Sequence, residues 1–170
     1  MGGFRAVLGI DPGSICSGWA YVPVRGKILS GACKQRPKDS FEYRRGQIRN
    51  YFAETLVDLV FGQNCVPWDI VAIEDPYSAS IRTAKRLATI RTALEELVLN
   101  HGYQYITVTP AQWHASVYDY TGDRTRVNVK DYALKGAREI SGDPTMGQDA
   151  ADAYWVARYV LDHPEMVLQI

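Results

Sequence analysis

The chain has 170 residues, of which 46% are hydrophobic and 22% charged, a balance that predicts one globular domain over residues 1–170 and excludes a disordered or fibrous protein. Its 19 basic and 19 acidic residues cancel, which taken alone argues against a nucleic-acid binder with a general basic excess. No apolar run approaches membrane-spanning length, and Met1-Gly2-Gly3-Phe4-Arg5 lacks a signal-peptide pattern, so a soluble cytoplasmic protein with no membrane partner is expected. Cys16, Cys33 and Cys65 are odd in number and far apart, which predicts reduced structural thiols rather than a zinc site.

In chain order, Ala6-Val7-Leu8-Gly9-Ile10-Asp11 is an apolar run stopped by Pro12-Gly13, the signature of a buried strand ending on a carboxylate. The stretches 18–24 and 27–33 read as two further strands joined by a tight turn at Arg25-Gly26, completing an antiparallel meander. Residues 41–61 repeat apolar positions at helical spacing and stop before Gly62. Trp68 to Glu74 is a second buried strand, again ending on a carboxylate, with Pro76 soon after. A long helix is predicted over 78–101, a strand over 103–108 and a short helix opening at Pro110. The polar stretch 119–126 reads as an exposed loop, followed by helices over 129–140 and 148–162.

Asp11 alone is ordinary turn chemistry before Pro-Gly, and Asp149 alone suits the first turn of a helix. Asp149 and Asp152 share one helix face by their spacing, however, and Asp152 lies among alanines that allow close approach to a sheet. Two acids at strand ends and two on one helix face suit a site for hard divalent cations such as Mg²⁺, which prefer oxygen ligands. Two such ions about 3.5–4 Å apart activate a water and stabilise the leaving oxygen of an in-line displacement. Hydrolysis of a phosphodiester is the reaction this predicts. Setting those four acids aside leaves 15 against 19 bases, which weakens the objection from net charge.

The segments Leu8-Gly9-Ile10-Asp11-Pro12-Gly13-Ser14 with Gly18, then Ala72-Ile73-Glu74, then Gln148-Asp149-Ala150-Ala151-Asp152-Ala153 together resemble the RuvC family of Holliday-junction resolvases, in order and spacing over nearly the whole chain. The resemblance implies an α/β, ribonuclease-H-like fold with a mixed five-stranded sheet flanked by helices. It further implies a homodimer and metal-dependent paired cuts in four-way DNA junctions, of bacterial or phage type. Asp11, Glu74, Asp149 and Asp152 become the catalytic, metal-binding acids, with Mg²⁺ the expected cofactor at two ions per site and Mn²⁺ a substitute.

By the same resemblance Tyr77 stands where the family carries an aromatic wedge against an unpaired base, although packing under the next helix is the plain alternative. Arg82, Lys85 and Arg86 place positive charge where it opposes the helix dipole, and either a phosphate or simple solvation accounts for them. The family has a lysine where this chain has His114, and a second family lysine aligns with Arg126. His114 and Arg126 are therefore expected DNA contacts, with a neutral hydrogen-bonded histidine equally open for His114, and Arg124 and Lys130 join them only because they share the basic stretch. Rival assignments are another ribonuclease-H-like nuclease or RNA-processing protein, an actin-like or sugar-kinase-like ATPase, and a junction-binding protein without activity. Neither the preferred cleavage sequence nor a branch-migration partner is legible.

Overall fold

The computed structural model describes residues 5–61, 68–78, 80–122 and 129–169. Five strands, β1 (Ala6–Asp11), β2 (Cys16–Pro23), β3 (Leu29–Lys34), β4 (Ile70–Glu74) and β5 (Tyr105–Val108), form one sheet in the order β3-β2-β1-β4-β5. The meander β1-β2-β3 is antiparallel, whereas β4 and β5 run parallel to β1. The sheet is thus mixed and five-stranded, as expected. Parallel strands need long crossovers, here supplied by helices: α1 (Phe41–Phe61) between β3 and β4, and α2 (Ile81–Asn100) between β4 and β5. Helices α3 (Pro110–Thr121), α4 (Val129–Ser141) and α5 (Gln148–Asp162) follow, with a terminal 3₁₀ helix over Pro164–Gln169 that the sequence pattern did not suggest.

Strand parity assigns each side chain to a face. Ala6, Leu8 and Ile10 of β1 pack with Val71 and Ile73 of β4 against Ile48, Phe52 and Leu56 of α1 and Ile90 and Leu94 of α2. On the other face Val7, Ala20 and Val22 with Ile70 and Ala72 meet the alanine-rich face of α5 and Trp113 of α3. Both faces of β1 and β4 are covered, which is why these strands read as continuous apolar runs. The same parity puts Asp11, two residues beyond Gly9, and Glu74, two beyond Ala72, on the α5 face.

Two glycines let α5 approach that face. A Cβ built on Gly9 would lie 2.0 Å from the Ala153 carbonyl oxygen, and one on Gly18 would lie 2.0 Å from that of Asp149. Gly18 is the registered partner of Asp11. The absence of a side chain at position 18 therefore brings the start of α5 down beside the end of β1.

One loop expectation is corrected. Residues 119–121 belong to α3, which buries Trp113 and Val117 and carries the partly exposed Tyr120 ring against Trp155 at 5.6 Å between ring centroids. The helix stops one residue later at Gly122, in the left-handed conformation at φ 70°. Among the described residues no helix is long and apolar enough to cross a membrane.

Candidate active site

Because β1 and β4 are parallel neighbours, in register from Val7 with Ile70 to Ile10 with Ile73, Asp11 and Glu74 finish side by side at one sheet edge. The Asp11 carboxyl is pushed well above the usual carboxylate range, first by burial and then by the charge of Glu74, to which it is hydrogen-bonded, and by that of Asp152. Burial and the neighbouring carboxylates thus favour the protonated form of Asp11, facing Glu74. Like charges brought this close cannot all remain ionised.

Glu74 is 8% exposed and accepts a hydrogen bond of 2.8 Å from the indole Nε1 of Trp113. Asp152 is 1% exposed. It pairs with the Lys130 ammonium and accepts a 2.8 Å bond from Gln148 Nε2, which also reaches the Lys130 carbonyl at 3.2 Å. Burial raises the Asp152 carboxyl, and Lys130 and Gln148 offset that rise only in part. Burial pulls Lys130 down, but attraction to Asp152, Asp11 and Glu74 outweighs it and leaves the ammonium firmly charged.

Asp149, half-buried one turn from Asp152, meets the Cys16 thiol at the start of β2. That thiol is pushed up to about 12 by burial and by its hydrogen bond to Asp149. Cys16 and Cys33 are free, whereas Cys65 lies outside the described residues.

The acids therefore share one end of the sheet, each with its own partner: proton, lysine or thiol. Among the described residues no three side chains already converge as a ready cation cage. The donors nonetheless suit a hard cation, being carboxylate oxygens crowded enough to raise one pKa and to draw in an ammonium.

Around the acids, Tyr77 stands 83% exposed three residues after Glu74, so it does not pack under α2. Arg82 and Lys85 are exposed on the first turns of α2, and Arg86 lies over the Phe41 ring at 5.4 Å. His114 is half-buried, its ring edge-on to Trp113 at 4.1 Å, and burial lowers its pKa against the pull of Glu74. The imidazole is neutral and lines a cleft with Ala111, Tyr118 and Val129. Arg124 and Arg126 lie outside the described residues.

Sequence reasoning missed three residues, Trp113, Gln148 and Cys16. It placed Lys130 only by its membership of a basic stretch, whereas the ammonium enters the acid cluster itself.

Fold and acids define a ribonuclease-H-like protein with a carboxylate cluster at its sheet edge. No family model matches the chain. Its sequence is 28% identical over 117 residues to the crossover junction endodeoxyribonuclease RuvC of Chlorobium phaeovibrioides, across 65% of this chain and 58% of that protein. It is 25% identical over 156 residues to the protein of the same name from Pelodictyon phaeoclathratiforme, across 89% and 76%. The chain thus matches little more than half the length of the first of these relatives. Thermus thermophilus RuvC in complex with a Holliday junction substrate superposes with a TM-score of 0.73 at 20% identity, over 95% of this chain and 96% of that one. Within that fold the chain is similar to RuvC proteins in sequence and in structure.

Proposed function

We propose that this chain is a metal-dependent endonuclease that resolves four-way DNA junctions by paired, symmetric phosphodiester cuts. The observation that carries it is that Asp11 and Glu74 end side by side at one sheet edge, with the charge of Asp152 acting on Asp11 and Gly18 admitting the Asp149 backbone beside the end of β1. An actin-like ATPase would need a second lobe about the nucleotide, and a purely architectural protein would have no use for buried acids crowded at a sheet edge.

Mg²⁺, two ions per site with Mn²⁺ as substitute, would be held by the four acids and would supply an activated water and charge for the leaving oxygen. The chain's own contribution is placement. Asp11 would face Glu74 on the neighbouring strand and Asp152 on α5. Trp113 and Gln148 fix the carboxylate planes, and Lys130 swings from Asp152 to the scissile phosphate. Tyr77 stacks on a base opened at the junction centre, where such stacking contributes about 1–3 kcal/mol. Arg82, Lys85, Arg86, His114, Arg124 and Arg126 hold backbone phosphates, contacts that position DNA without reading its sequence. Two equivalent strands call for two equivalent sites, hence a homodimer about a two-fold axis, acting in the cytoplasm of a bacterial host.

The test is cleavage of synthetic four-way junctions. The parent protein cuts with Mg²⁺, and Asp11→Asn binds equally well but cuts at least about a hundredfold more slowly. Equal cutting by the two proteins would overturn the assignment, and cutting of single-stranded RNA in preference to junctions would move it to another nuclease of this fold.

A further inference from the structure

The zero net charge hides an asymmetry. Residues 34–38 read Lys-Gln-Arg-Pro-Lys, three bases in five positions with no acid, in the connection from β3 to α1. Lys34, Arg36 and Lys38 are all exposed, and none joins an ion pair among the described residues. A basic run is more often a solvated surface than a site, but this one is held in place. Arg44, only 5% exposed, spends its guanidinium beneath the loop, donating to the Pro37 carbonyl at 2.8 Å and the Asp39 carbonyl at 2.9 Å. Pro37 fixes its own φ, and the Gln35 N–H donates to the Ile15 carbonyl at 2.7 Å. The loop is thus tied to the turn that follows Asp11.

Its place relative to the acids follows from the sheet. Lys34 is the registered partner of Cys16, whose thiol meets Asp149, and β3 lies two strands from β1. Two strand spacings are about 10 Å, or about three nucleotides at the ~3.4 Å rise of one DNA strand. A polar cleft of about 410 Å³ lined by Lys34, Gln35, Arg36, Asp39, Tyr43 and Gln47 opens there.

Resting on the nuclease reading above, we propose that the β3–α1 loop is a second backbone clamp. Lys34, Arg36 and Lys38 engage phosphates about three nucleotides from the scissile one and hold the cut strand across the acids. Pre-ordering by Arg44 and Pro37 spares the loop the entropy of folding onto DNA.

The experiment compares Arg36→Gln/Lys38→Gln with the parent, both carrying Asp11→Asn so that binding is read without cutting. Affinity for a four-way junction is measured from about 50 to 200 mM salt. Loss of two phosphate contacts lowers the slope of log affinity against log salt by about 2. Replacing single phosphates by neutral methylphosphonates, two to four nucleotides from the cut, weakens the parent and leaves the variant unaffected. An unchanged slope, or equal methylphosphonate losses in both proteins, overturns the clamp. The two proposals fail separately. A cation-independent lack of cutting by the chain with Asp11 intact defeats the nuclease, whereas the slope and the phosphate scan decide the clamp.

Discussion

At the scale of single residues the site is set by what each carboxylate can borrow. Glu74 is buried and takes its hydrogen bond from Trp113, so Trp113→Phe preserves the packing and removes the donor. The partner of a ligating carboxylate typically contributes ten- to a hundredfold in metal affinity. The Mg²⁺ concentration for half-maximal cutting is expected to rise by about that factor, with a stability loss of about 1–3 kcal/mol in urea unfolding. An unaltered Mg²⁺ requirement would show that the indole serves packing alone. Asp69 offers a separate test, because it ties the start of β4 to β1. Burial raises its carboxyl, but donation from the Arg5 and Ala6 N–H groups and from the Arg5 guanidinium at 2.9 and 3.1 Å prevails and lowers it. A lowered folded-state pKa means stability that is fully present above the unfolded value of about 3.9 and is lost as pH falls through the folded value. The pair is partly exposed, which limits it to about 1 kcal/mol or less. Urea midpoints of the parent and Asp69→Asn should therefore differ at pH 7 and converge as pH falls below about 4.

At the scale of elements the decisive contact is α5 on the sheet. Gly18→Ala drives a methyl group into the Asp149 carbonyl oxygen, and overpacking of this kind costs about 1–3 kcal/mol. Because the obstructed backbone carries Asp149, cutting should fall further than stability. Gly46→Ala is the control. A Cβ there meets nothing within 4 Å, inside helix α1, so thermal unfolding should show a gain of about 0.5–1 kcal/mol. These contacts also explain what the sequence could tell. Strand and helix positions were legible because the apolar period is local, and the parity of Asp11 and Glu74 follows once β1 and β4 are known to be parallel. Trp113 and Gln148 were not legible as site residues, since an indole and an amide carry no motif and their roles arise only when α3, α4 and α5 converge. Lys130 is the second residue of α4, and only the docking of α4 on α5 shows that its ammonium reaches Asp152. The end of α3 was misjudged because polar Asp119 and Thr121 flank Tyr120, whose packing on Trp155 is a tertiary fact.

At the scale of the whole molecule, resolution needs two cuts, and one chain presents one acid cluster. In the proposed homodimer, helix α2 would supply the surface for pairing. Its inner side buries Ile90, Leu94, Leu97 and Val98, while Ile81, Lys85, Ala88, Thr92 and Leu99 recur at helical spacing on the exposed side. Ile81 and Leu99 are 75% and 55% exposed, and the small Ala88 and Thr92 between them let a second α2 approach closely. An isologous interface requires a surface that meets its own copy about a two-fold axis, and this strip is the proposed one. Ala88→Arg places a long cation at the centre of that contact, next to its own symmetry mate, without touching the sheet or the acids. Sedimentation should then report the 19.1 kDa monomer in place of a dimer, and thermal unfolding should remain cooperative. On a four-way junction the monomer should leave single nicks, with paired-cut product reduced at least about tenfold, since its two cuts become independent encounters. Retention of both the dimer and the paired cuts would place the two-fold axis on another face, and the exposed strip of α2 would then have to serve the DNA directly, beside Tyr77.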